Sequence, residues 1–197
     1  FYRLPSEAAF ATWRDSSPTN FTFALKVSRF VTHIKRLTNT EEAMENFITR
    51  AKALGEKLGP LLYQLPPNMH RNDERLESFL SKLPQGMKHV FEFRHQSWLD
   101  DGIFEILHKY NIGFCVFDMP SLSCPLLATA DFAYIRFHGS TGLYWSCYSE
   151  QFLAVCDWSL ANLATNLKSI YIYFNNDAEA FAVRNALTLG DYLQNAG

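Results

Sequence analysis

Phe132-Ala133-Tyr134-Ile135-Arg136-Phe137-His138 is the stretch on which the reading of this chain turns. It is rich in aromatic and β-branched residues and has about the length of a buried strand. Side chains alternate across a strand, so Tyr134, Arg136 and His138 share one face, while Ile135 and Phe137 take the other. The run stays largely apolar and turns polar at its C-terminal end. Five more short runs repeat this design, at 21–26, 61–65, 89–93, 112–117 and 170–174. Their polar ends are Lys26, Gln64, Glu92 with Arg94, Asp118, and Asn175-Asn176-Asp177.

Helical patterns separate most of these runs. Ser6 caps a helix through Trp13, and Thr40 with Glu41 and Glu42 opens another that closes near Gly59. A third runs from Asp73 to Leu83, before Pro84-Gln85-Gly86. A fourth runs from Asp100 to Tyr110, with His108 and Lys109 in the last turn where the helix dipole favours them. Ser149 and Glu150 open a run with Phe152, Cys156, Leu160, Leu163 and Leu167 on one face. Asp177 opens the last helix, with Phe181, Ala182, Asn185 and Leu189. Residues 119–131 read as a loop.

Strand alternating with helix predicts a parallel sheet covered by helices. No repeat, linker or low-complexity tract interrupts it, so residues 1–197 are expected to form a single domain. A (β/α)8 barrel typically needs ~250 residues. This chain holds six strand-helix units after an opening helix with no strand of its own, and Phe1-Tyr2-Arg3-Leu4-Pro5 reads like the end of an element. The expected fold is an α/β, TIM-type (β/α)8 barrel lacking its first two strands.

Composition narrows the function classes. With 17 Phe, 9 Tyr and 4 Trp against 9 Gly and 8 Pro, intrinsic disorder is excluded. A net charge of −2 argues against a surface built throughout as a trap for nucleic acid. No apolar run approaches the ~18 residues of a membrane span, and no leader pattern is present. Cys115, Cys124, Cys147 and Cys156 include no C-x-x-C pair, which points to reduced thiols and a cytoplasmic setting.

Parallel α/β folds place their sites where the strands end. There, an unpaired buried charge costs several kcal/mol. Glu92, Arg94 and Arg136 therefore form either an ion network or a ligand site. Lys26, Arg29, Lys35 and Arg36, with His33 among them, add positive charge without an acid and suit a phosphate or carboxylate. Gly139-Ser140-Thr141-Gly142 and Asn175-Asn176-Asp177 occupy loops where barrels often hold phosphate, although Asp177 also fits an N-cap. Trp98, Tyr144, Trp145 and Tyr148 lie in loops after strands, where they either stack on a sugar or base or cap the core.

Metal binding by His33, Glu92, Asp118 and His138 is an alternative without H-x-x-x-H or C-x-x-C spacing behind it, and no cofactor is expected. Ser97 follows His95 on an extended loop, where the two side chains are not expected to face each other. His70, His89 and His108 read as surface or packing residues.

Several of these stretches resemble the YecE-like family, domain of unknown function 72. They are Phe1-Tyr2-Arg3-Leu4-Pro5, Gln64-Leu65-Pro66-Pro67, Phe91-Glu92-Phe93-Arg94-His95 with Ser97-Trp98, Thr129-Ala130-Asp131-Phe132, Tyr134 to Gly139, and Tyr173-Phe174-Asn175-Asn176-Asp177. The resemblance implies a TIM-type barrel. Family members begin earlier, with a Gly-Thr-Ser-Gly-Trp-like strand and a second strand carrying Glu-x-Asn, and this sequence shows neither. It also has Gln96 where Pro is usual.

The expected function is an enzyme acting on a small anionic or phosphorylated, sugar-like substrate. In that reading Lys26, Arg94 and Arg136 hold negative charge, Glu92 or Asp118 moves a proton, and His138 acts as acid/base or polarises a carbonyl. Asn175 and Asn176 bind hydroxyls. His33, Gln64, His95, Trp98, Tyr144 and Asp177 complete the substrate-facing set. The alternatives are a nucleic-acid-binding or endonuclease-like barrel and a non-catalytic ligand-binding protein.

Overall fold

The computed structural model describes residues 4–118, 122–139, 147–154 and 167–195. They belong to two compact units, Phe1–Ile112 and Gly113–Gly197. Both are α/β.

In the first unit α1 (Glu7–Ser16) precedes β1 (Phe23–Lys26), α2 (Glu41–Ala51), β2 (Leu58–Gln64), α3 (Asp73–Leu80), β3 (His89–Glu92) and α4 (Asp101–Lys109). Side chains start three of the helices. Ser6 Oγ accepts the Ala9 amide at 3.2 Å, Asn72 Oδ1 the Arg75 amide at 2.8 Å, and Asp100 Oδ1 the Gly102 amide at 3.0 Å. The strands pair in parallel, with Lys26 opposite Leu62, Tyr63 opposite Phe91, and Gln64 opposite Glu92.

Alternation then sorts the side chains. Tyr63 stacks on Phe91 at 4.9 Å, and Phe79 of α3 meets Tyr63 edge-on at 5.6 Å. Gln64 and Glu92 take the opposite face.

The second unit holds β4 (Gly113–Asp118), β5 (Phe132–Phe137), β6 (Ser169–Phe174) and α5 (Phe181–Asn195), with a helical turn at 150–154. Its strands are also parallel, and Asp118 and Phe174 both stand opposite Phe137. The alternation expected in β5 holds. Tyr134 stacks with Tyr173 on one face, and Phe137 packs with Tyr148, Phe152 and Phe174 on the other.

Several boundaries differ from the sequence reading. The helix opened at Thr40 ends at Ala51 and passes through a 3-10 turn, and Gly59 lies inside β2 instead of closing a helix. A Cβ on Gly59 would stand 2.4 Å from Thr22 Cγ2 and 3.0 Å from the Phe23 carbonyl oxygen, so glycine serves the close approach of two strands. The last helix starts at Phe181, after a 3-10 turn with Glu179 and Ala180 in left-handed backbone. The segment after β1 is more ordered than a loop. Residues Phe30–Ile34 form a π-helical turn, followed by left-handed Arg36, Leu37 and Asn39.

Among the described residues no helix is long and apolar enough to cross a membrane. Cys115, Cys124 and Cys147 are free thiols, whereas Cys156 lies outside the described residues.

Candidate functional site

In the first unit the polar ends of three neighbouring strands meet. Lys26 Nζ donates to Gln64 Oε1 at 2.7 Å, and Gln64 Nε2 donates to Glu92 Oε1 at 2.8 Å. Glu92 is fully buried and forms an ion pair with Arg94. Parallel register causes this, because Gln64 and Glu92 are cross-strand partners and project to the same face. The glutamine amide passes one orientation along the chain, with its oxygen towards the ammonium and its nitrogen towards the carboxylate.

These four side chains together carry one net positive charge. The field reaches the next turn. Burial first, and then the charges of Arg29, Lys26 and Arg36, hold the His33 imidazole below its ordinary pKa. His33 Nδ1 is paired with Thr32 Oγ1 at 2.8 Å.

Other expected members are placed differently. Trp98 follows the core-capping one of its two readings and is not an exposed stacking surface. It is buried, stacked on Phe93 at 4.9 Å, and its Nε1–H donates to the Met69 carbonyl at 2.6 Å. His95 and Ser97 do face each other, with Nδ1 and Oγ 2.9 Å apart, because the chain turns there into a 3-10 helix capped by His95. His89 packs in the core, where Nε2–H donates to the Pro84 carbonyl and Nδ1 accepts from the Tyr63 hydroxyl, both at 3.0 Å.

In the second unit the strand ends are tied mostly to backbone and loops. Asp118 Oδ1 accepts the His138 amide at 2.5 Å, and its Oδ2 accepts the Tyr148 hydroxyl. That hydroxyl also accepts the Gly139 amide at 2.7 Å. Arg136 Nε donates to Asn175 Oδ1 at 3.1 Å. Asn176 donates to Asn185 Oδ1 at 2.9 Å, and Asn185 also bonds both the amide and the carbonyl of Tyr148 at 3.1 Å. Asp177 is exposed and caps nothing with its side chain. Tyr144 and Trp145, with Ser140, Thr141 and Gly142, lie outside the described residues.

Sequence reading did not assign a role to Asn185. The signal was present, since a polar amide sat on the apolar face with Phe181, Ala182 and Leu189. Of the two readings of Tyr148, stacking on a ligand or capping the core, the structure has the second: it is buried against Phe137 and Phe152, and its hydroxyl donates to Asp118.

Among the described residues no three His, Cys, Asp or Glu side chains come together as a metal site. A hollow of about 140 Å³ adjoins Lys26 and is smaller than the ~300 Å³ usual for a ligand pocket. A larger one, about 340 Å³, lies between α2 and the end of α3, and none of the strand-end residues lines it.

The family model described as "Protein of unknown function DUF72" matches residues 1–197. The UPF0759 protein YecE of Escherichia coli (strain K12) is 28% identical over 102 residues, 51% of this chain. The YecE protein of Escherichia coli O157:H7 gives the same figures. Each match spans only 38% of the relative's length. A crystal structure of a DUF72 family protein from Thermotoga maritima MSB8 has 30% identity and a TM-score of 0.87, covering 98% of this chain and 82% of that one. A DUF72 family protein from Enterococcus faecalis V583 shares the fold at 18% identity, with a TM-score of 0.89 over 98% and 82% of the two chains.

Proposed function

This chain belongs to the DUF72 family, and from that premise we propose an enzyme acting on a small anionic, phosphorylated sugar-like substrate at the C-terminal ends of its strands. The fold that goes with this reading is a TIM-type (β/α)8 barrel, of which the chain supplies six strands. One observation carries the proposal: the side-chain relay Lys26–Gln64–Glu92–Arg94. Buried Glu92 fixes Arg94 directly and Lys26 through Gln64, so two cations are aimed before any ligand arrives. Preorganised donors cost little to reorganise on binding. Lys26 and Arg94 take the substrate's negative charge, and Glu92 is the carboxylate that exchanges a proton with it.

The test is thermal melting of the protein with a hexose phosphate, the free hexose and inorganic phosphate. The phosphate-bearing compounds are expected to raise Tm and the free hexose is not. Lys26→Gln is expected to remove the effect. Equal stabilisation by the neutral sugar, or none by any compound, overturns the reading.

A second reading rests on the turn after β1. Phe30 is 43% exposed there, with the Lys35 ammonium 5.5 Å from its ring centroid and Arg29 and Arg36 in the same stretch of chain. An aromatic ring among cations suits single-stranded nucleic acid. Binding that weakens steeply with salt and is lost in Phe30→Ala would favour that reading.

A further inference from the structure

We infer that His95 presents Nε2–H as a fixed hydrogen-bond donor to an anionic oxygen of the ligand, and that His70 is the second member of this site. The inference rests on the anionic-substrate reading above; it gives His95, a member of that substrate-facing set, a defined donor atom, and it adds His70.

The argument is one of tautomers. The Ser97 backbone amide, which can only donate, points at His95 Nδ1 from 3.2 Å. Nδ1 must therefore be the unprotonated nitrogen, and the neutral ring carries its proton on Nε2. Ser97 Oγ agrees with this assignment. It accepts the Arg71 amide at 2.9 Å, which leaves its own hydrogen to donate to Nδ1 at 2.9 Å. An imidazole set this way offers a donor at Nε2, not a lone pair, so it suits an oxyanion and not a metal ion.

His70 is brought to the same place by two hydrogen bonds that flank it in sequence. Trp98 Nε1–H binds the Met69 carbonyl on one side, and the Arg71 amide binds Ser97 Oγ on the other. These clamp residues 69–71 onto the turn 95–98 and leave the His70 and His95 ring centroids 4.0 Å apart. His70 is exposed and His95 half-buried. Among the described residues His95 Nε2 and both nitrogens of His70 have no hydrogen-bond partner. His95 directly follows Arg94, so the pair stands one residue beyond the charged relay. The ligand class is a phosphate or carboxylate group, bound through N–H donors.

The experiment titrates inorganic phosphate into the 15N-labelled protein and follows the imidazole nitrogens. His95 is expected to show an unprotonated Nδ1 and a protonated Nε2, and phosphate is expected to move the Nε2 signal. His95→Asp keeps a side-chain oxygen to cap the turn and carries no donor; its phosphate affinity is expected to fall at least tenfold. His70→Asn is expected to lose a few-fold. A proton on Nδ1 overturns the inference without a variant. So does an unmoved Nε2 when Lys26→Gln still weakens phosphate binding, a result that leaves the proposed function standing. Absence of any phosphate binding overturns both.

Discussion

The strand ends of the two units carry similar residue types and use them differently. In the first unit the polar groups bond to one another, side chain to side chain across neighbouring strands, with charge at both ends of the relay. In the second, apart from the Arg136–Asn175 bond, they hold backbone amides and loops, through Asp118, Tyr148 and Asn185. A carboxylate that faces a guanidinium stores charge for a ligand to meet. One that accepts a backbone amide and a phenol fixes the path of the chain. An apolar strand with a polar last residue is thus one sequence signature with two outcomes, and the partner decides which.

The largest expected effect separates these outcomes directly. Arg94→Met leaves Glu92 buried without its cation and is expected to cost about 3–5 kcal/mol in a denaturant melt. Glu92→Gln combined with Arg94→Met removes both charges and should recover most of that loss. If the double variant is as unstable as the single one, packing rather than charge holds the first unit's strand ends.

In the second unit Asn185→Ala strips partners from the Tyr148 amide and carbonyl and from the Asn176 amide, and should cost about 2 kcal/mol. That loss should be the same at low and high salt, because the groups are neutral. A salt-dependent loss would mean that charge holds the second unit's strand ends as it does the first's.

The smallest effect is on pH. His89 is buried, and desolvation holds its pKa below the ordinary value, outweighing the bond to Pro84. Below the ordinary histidine range the unfolded chain binds a proton that the folded one resists. Stability is therefore complete above about pH 6.5 and falls as pH drops through that value. His89→Gln should flatten this slope in equilibrium melts at several pH values.

Most of the architecture could be read from residues. β5 was bounded correctly because its aromatic, β-branched run ends at charged and turn residues, and Ser6 and Asp100 cap where local hydrogen bonding says they should. Gly59 misled because glycine usually stops helices, whereas here it answers to Thr22 and Phe23, far away in sequence. The relay at Gln64, Glu92 and Arg94 was visible as polar residues ending apolar runs. The His70–His95 contact was not, because only hydrogen bonds between two loops bring those rings together.

The relay also has a consequence in time. Its two links, Lys26 to Gln64 and Gln64 to Glu92, join residues 38 and 28 positions apart, while each side-chain cap joins residues two or three apart. Loop-closure entropy grows with the length enclosed, and parallel strands must wait for the helix between them to fold back. The charged cluster should thus close after the transition state for folding. Weakening it through Lys26 is then expected to speed unfolding while leaving the folding rate nearly unchanged.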